Sequence, residues 1–105
     1  MSMAKGYWIA HVDVTDPDGY KNYVAANAIP FAKYGAKFLV RGGISKIQSG
    51  SLRQRHVVIE FEDYATALAC HESPEYQHAA AIRDRASAID LAIVEGYDGP
   101  QPARV

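Results

Sequence analysis

The chain has 105 residues, about half of them apolar (49%) and 22% charged, the composition of a folded protein rather than a disordered or coiled-coil one. That length makes one domain, with a core at about residues 5–97 and a flexible tail over 98–105. Eleven basic and 12 acidic side chains leave a net charge of -1, which argues against a dedicated nucleic-acid or anionic-membrane binder. The balance hides a split. Residues 1–55 hold eight Lys/Arg and three Asp/Glu, a sum of +5, and residues 56–105 hold three and nine, a sum of -6. Cys70 is the only cysteine, which excludes an intrachain disulfide and a cysteine zinc cluster. Met1 to Gly6 carries no apolar run and is read as no signal peptide, and the longest uncharged stretch, Asn22 to Ala32, is too short to span a bilayer. A soluble, cytoplasmic protein is the expectation.

Tyr7 to Val14 alternates and is rich in aromatic and β-branched residues, which predicts a first strand. Asp16-Pro17 supplies an N-cap and a proline at the first helical position. Tyr20, Tyr23, Val24, Asn27, Phe31 and Tyr34 follow at helical spacing, and this stripe is read as core. Pro30 is expected to kink or split the helix, and Gly35 to end it. Ala36 to Gln48 predicts a second strand, bulged and bent at Gly42-Gly43. Ser49-Gly50-Ser51 reads as the turn of a hairpin whose other arm is Arg55 to Glu62. Asp63 caps a short helix, Tyr64 to His71, and Ser73-Pro74 starts another that runs to about Arg85. Ile89 to Tyr97 is the last strand. The order βαββαβ is that of the α+β ferredoxin-like split, one antiparallel sheet with helices on one face and strands ordered fourth, first, third, second.

Strand parity then separates two faces. Trp8, Ala10, Val12 and Val14, with Val57, Ile59 and Phe61, form apolar sets suited to the helix side. Tyr7, Ile9, His11 and Asp13, with His56, Val58 and Glu60, form mixed sets too apolar for plain solvent. A second copy of the sheet covers such a face most simply, giving a homodimeric barrel with a polar-lined interior. The edge strands carry Lys37, Arg41 and Lys46 on one side and Asp90 and Glu95 on the other. Subunit pairing between these edges is therefore expected to weaken with salt.

Lys5-Gly6-Tyr7-Trp8-Ile9-Ala10, Phe38-Leu39-Val40-Arg41-Gly42-Gly43, Val57-Val58-Ile59-Glu60-Phe61, Ser73-Pro74-Glu75-Tyr76-Gln77 and Val94-Glu95-Gly96 occur in that order over residues 5–97. Together they resemble domain-of-unknown-function family thirteen-thirty. The resemblance implies the dimeric α/β-barrel superfamily, with a ferredoxin-like protomer. Relatives there include cofactor-independent monooxygenases, muconolactone isomerases, haem-dependent chlorite dismutases and stress-induced barrel proteins. The family has no established reaction. Cys70-His71 departs from the bulky aromatic residues usual before Ser73-Pro74.

Candidate chemistry falls on few side chains. Arg41 either clamps a carboxylate bidentately inside the barrel or makes an interface ion pair. His11 beside Glu60 is the candidate general base, set against a hydrogen-bonded structural pair. Tyr76 and Arg83, seven apart on one helix face, are placed at the cavity mouth as ligand-binding residues, with packing the alternative for Tyr76. Asp90 is placed with them as a ligand-binding residue, pairing with Arg83 or else ending its strand in solvent. Glu75 and His78 at i, i+3, with His71 nearby, form an incomplete metal motif, and no metal is assigned. Cys70 reads as a small core residue rather than a nucleophile. Gly42-Gly43 is no phosphate loop, none of the four His residues stands out as a haem ligand, and no cofactor is assigned. The resulting expectation is a site for a small aromatic or carboxylated molecule in the barrel, with cofactor-free oxygenase or isomerase chemistry one possibility. A non-catalytic, stress-associated binding module and a purely structural dimer are the alternatives.

Overall fold

The computed structural model describes residues 4–104. The reading of Met1 to Gly6 falls partly outside that range, as does Val105 of the tail. Seven elements follow in the order β1 (Gly6–Val14), α1 (Pro17–Lys33), β2 (Lys37–Arg41), β3 (Arg55–Phe61), α2 (Tyr64–Glu72), α3 (Pro74–Ala86) and β4 (Ser87–Glu95). The sheet runs β2-β3-β1-β4 with every pairing antiparallel, the order expected from the split βαβ pattern. All three helices cover one face. No described helix is long and apolar enough to cross a membrane.

The helix starts follow from local chemistry. Asp16, Asp63 and Ser73 each accept a backbone N–H from the first turn of α1, α2 and α3, and proline follows the cap in α1 and α3. Pro30 does not split α1, which continues to Lys33. It sits in the last turn, so the N–H it lacks removes a single bond, the one to the Ala26 carbonyl, with only three helical residues left beyond it. Gly35 then closes the helix at φ 68°. The Gly35 and Ala36 N–H groups return to the Ala32 and Phe31 carbonyls at 3.4 and 2.9 Å, a Schellman end.

Trp8 on β1 is the hub of the core. It is 2% exposed, and its ring meets Phe31, Phe61, His71 and Tyr76 with centroids 4.8–5.5 Å apart. Its Nε1 donates to the Ala67 carbonyl at 2.9 Å, so the one polar atom of the indole is paired where water is excluded. Ile89, Leu91 and Ile93 of β4 and Tyr20 and Val24 of α1 pack around this cluster.

Two sequence expectations about the strands change. The second strand ends at Arg41, not Gln48, and residues 42–54 form no strand, so Ser49-Gly50-Ser51 turns within a long connection rather than at a hairpin tip. The bulge lies at Leu39, not at Gly42-Gly43. Phe38 faces Ile59 and Val40 faces Val58, so two steps on β2 oppose one on β3. In addition, β4 begins two residues earlier than expected, at Ser87, and ends at Glu95. Beyond it the described residues form no regular element, and Tyr97 donates its hydroxyl to the Pro100 carbonyl at 2.7 Å.

Candidate functional site

The bulge decides where the site lies. Side chains alternate along a strand, so one extra residue exchanges the two faces beyond it. Without the bulge Val40 would oppose Val57. With it, Arg41 does, and Val57 points to the helices. Arg41, an exposed residue, therefore stands on the helix side of the sheet, at the edge of the space between sheet and helices within one protomer, not on the uncovered face.

That space is a cavity of about 470 Å³ measured out to solvent. The sheet supplies Trp8, Ala10, Val57 and Ile59 to its floor, and α1 and α3 supply Tyr20, Tyr23, Asn27, Phe31 and Tyr76. The walls are apolar and aromatic, with two guanidinium groups among them, Arg41 and Arg55. Among the described residues, neither arginine forms an ion pair, and the lining contains no carboxylate or imidazole. Arg41 lies over the Phe38 ring, 3.9 Å from its centroid, and Arg55 lies 5.9 Å from that of Tyr20. The Arg55 Nε is buried with no hydrogen-bond partner among the described residues. A buried guanidinium N–H facing no acceptor is costly and uncommon.

Gly42 shapes this corner. Its φ is 68°, a conformation that residues with a Cβ rarely adopt, and a methyl placed there would overlap Nη1 of Arg55. The Arg55 guanidinium thus lies against the backbone next to Arg41. The Gly42 N–H bonds the His56 carbonyl at 2.9 Å, which ties the end of β2 to the start of β3.

At the other side of the cavity the Tyr23 and Tyr76 hydroxyls meet at 2.7 Å, and Arg83 Nη1 donates to the Tyr76 oxygen at 3.0 Å. Tyr76 and Arg83 do share a helix face, and Tyr76 both packs against Trp8 and lines the cavity. Burial, above all, pushes both tyrosine pKa values up, so the phenols stay protonated. Burial lowers that of His71, and the nearby Arg83 charge adds to the effect. His71 meets Trp8 edge-on and Tyr76 at a tilt, taking the place of an aromatic ring. Cys70 is fully buried, and its thiol is pushed up to about 12 by desolvation, with the Glu75 charge adding to this, as suits a packing residue.

The remaining sequence candidates do not join this cavity. His11, Glu60 and Asp90 lie on the uncovered sheet face. His11 does not pair with Glu60. Its Nδ1 is 2.8 Å from Nδ1 of His56, its cross-strand neighbour. Glu60 stands opposite Tyr7 and accepts its hydroxyl at 3.1 Å, about 13 Å from His11 along the strand at 3.3 Å per residue. Nor does Asp90 pair with Arg83. Asp90 accepts from Arg53 at 3.1 Å, while Arg83 is held by Asp84 at 3.0 Å. The cause is the sheet, which turns Asp90 away from the face that α3 covers. Arg53 also bonds Asp13 at 3.0 Å, and the Gln54 N–H and then Arg53 hold the Asp13 carboxyl below its usual range. Glu75 pairs with Lys33 at 3.4 Å and His78 is exposed, so these do not meet His71 at a shared point. Lys46 lies in the 42–54 connection rather than on the β2 edge.

Arg55 and Tyr23 are the cavity residues that sequence reasoning missed. Arg55 had a signal. It opens the set Arg55, Val57, Ile59, Phe61, so a cation begins a face that is otherwise wholly apolar. Tyr23 had none, because one tyrosine in an aromatic stripe looks the same whether or not its hydroxyl reaches a cavity.

The fold is shared with several solved structures. A protein of unknown function from Rhodopseudomonas palustris superposes with TM-score 0.72 at 14% identity, covering 93% of this chain and 86% of that one. SnoaB, a cofactor-independent oxygenase from Streptomyces nogalater, gives 0.60 at 13% identity, covering 94% and 96%. A dimeric ferredoxin-like protein of unknown function from Thermobifida fusca gives 0.57 at 18% identity, covering 90% and 92%. At these identities the likeness shows the fold alone. No curated protein matches the chain. The family described as Domain of unknown function (DUF1330) matches residues 5–97, and the chain belongs to that family.

Proposed function

We propose that the protein binds a compact carboxylated organic molecule, with an aromatic or similarly apolar body, in the cavity between its sheet and helices. The observation that carries this is the pair Arg41 and Arg55, two cations without a counter-ion lining an apolar cavity. A carboxylate satisfies both charges and the orphaned Nε, while the ring walls take the apolar body. Binding stands ahead of a reaction that needs a general base, since the lining holds donors and no such base. Cofactor-free oxygenase chemistry, the activity named for the Streptomyces nogalater relative, is compatible with a site that only orients its ligand.

The working unit is a homodimer. Ile9, Val40 and Val94 are exposed on the uncovered face beside the Tyr7–Glu60 and His11–His56 pairs, an apolar patch crossed by polar contacts. The dimeric relative from Thermobifida fusca supports the same arrangement.

Isothermal titration with benzoate and with benzamide, its neutral isostere, tests the ligand class. Benzoate is expected to bind and benzamide not, and Arg41→Gln and Arg55→Gln are each expected to weaken benzoate by roughly tenfold or more. Equal binding of the two probes, or benzoate binding indifferent to both arginines, refutes the assignment. Sedimentation at micromolar concentration tests the dimer, and a monomer there removes it.

A further inference from the structure

The cavity holds a second polar feature besides its arginines, and its hydrogen bonds have a direction. Arg83 is 8% exposed, and Asp84 fixes its guanidinium through Nε at 3.1 Å and Nη2 at 3.0 Å. Its Nη1 reaches the Tyr76 oxygen. A guanidinium cannot accept, so Tyr76 accepts here. The Tyr76 hydroxyl is buried, with Arg83 and Tyr23 as its partners. If Tyr23 also donated to Tyr76, the Tyr76 proton would have no acceptor among the described residues, at a side chain only 1% exposed. The satisfied arrangement has Tyr76 donating to Tyr23. Asn27, one helical turn on from Tyr23, lines the same cavity. With the Tyr76 proton arriving at its oxygen, the Tyr23 O–H has no acceptor among the described residues, and the cavity that Tyr23 lines is where one can sit.

We infer that Tyr23 is a ligand-recognition residue that presents an oriented hydroxyl donor to an oxygen of the bound molecule. The chain Arg83 to Tyr76 to Tyr23 starts at a permanent positive charge, so each link polarises the next and the terminal O–H is a stronger donor than an isolated phenol. This deepens the cavity's assignment as a carboxylate site, and rests on it, by narrowing the class. The preferred molecule carries a carboxylate for Arg41 and Arg55 and a second acceptor oxygen, a carbonyl or an enolate, for Tyr23.

The test compares 3- and 4-acetylbenzoate with 3- and 4-isopropenylbenzoate, in which a CH₂ replaces the carbonyl oxygen at nearly constant shape. Titration of the wild-type protein is expected to show at least one acetyl isomer binding roughly tenfold tighter than its isopropenyl counterpart. In Tyr23→Phe that ratio is expected to fall to about one. Arg83→Met keeps both hydroxyls and removes the donor that orients them, so the ratio is expected to fall there too. It also decides the matter if Tyr23→Phe does not fold. A ratio of one in the wild-type protein, or a ratio unmoved by either variant, overturns the inference while benzoate binding through Arg55 leaves the carboxylate site standing. Failure of benzoate to bind overturns both.

Discussion

Replacing Arg55 with methionine is expected to stabilise the free protein while weakening the proposed anion site. Methionine keeps the length and much of the apolar stem and removes the charge. Three contributions set the sign. Relief of the buried, unpartnered Nε is worth about 1–3 kcal/mol. Loss of the guanidinium contact with Tyr20, at 5.9 Å near the outer limit for such an interaction, costs about 0.5 kcal/mol. Arg41 is exposed, so solvent screens its charge and its repulsion of Arg55 adds little. The net is a gain of about 1 kcal/mol, or roughly 5 °C in Tm for a chain of this size. Benzoate affinity should move the other way. A charge-assisted hydrogen bond is worth about 1.5–3 kcal/mol, so Kd should rise by roughly 10- to 100-fold. Thermal unfolding without ligand and titration with benzoate read the two effects on the same sample. A lower Tm together with unchanged benzoate binding would show that Arg55 is a structural cation, and the reasoning would fail.

Other expectations follow from the same geometry. Gly42→Ala must adopt a left-handed backbone and displace the Arg55 guanidinium, so chemical denaturation should show a loss of about 1–2 kcal/mol together with weakened benzoate binding. Gly43→Ala, where an added methyl meets nothing, should do neither. Cys70 is an acid whose pKa rises from 9.0 unfolded to about 12 folded. Its stabilisation is complete at neutral pH and declines once the pH passes 9, by about 1.4 kcal/mol at pH 10. Cys70→Ala should be less stable at pH 7 yet lose less between pH 8 and 10, and parallel curves for the two proteins would contradict this. Dimer affinity, measured by sedimentation from 50 mM to 1 M salt, should fall as Lys37 on one sheet edge and Glu95 on the other are screened. The fall should be modest, because Asp90 is already engaged by Arg53.

The element order, helix caps and strand alternation were legible along the chain because each depends on near neighbours. Asp16-Pro17, Asp63 and Ser73-Pro74 act within one helical turn, and the apolar parity of Trp8, Ala10 and Val12 is local too. Strand order followed from connection rules rather than from any single residue. The site was legible in part. Arg41 and Tyr76 were recognised as ligand-binding candidates, but Arg41 was assigned to the wrong compartment, and His11, Glu60 and Asp90 proved to share a face that the cavity does not touch. Only the tertiary structure decided this, because the bulge at Leu39 exists only in the pairing of β2 with β3. Side chains alternate with a period of two, so one unpaired residue moved Arg41 across the sheet, beside an Arg55 that comes from a different strand. The +5 and -6 of the two halves are likewise a property of the chain. Folding interleaves them, and it left two of the cations without partners at one cavity.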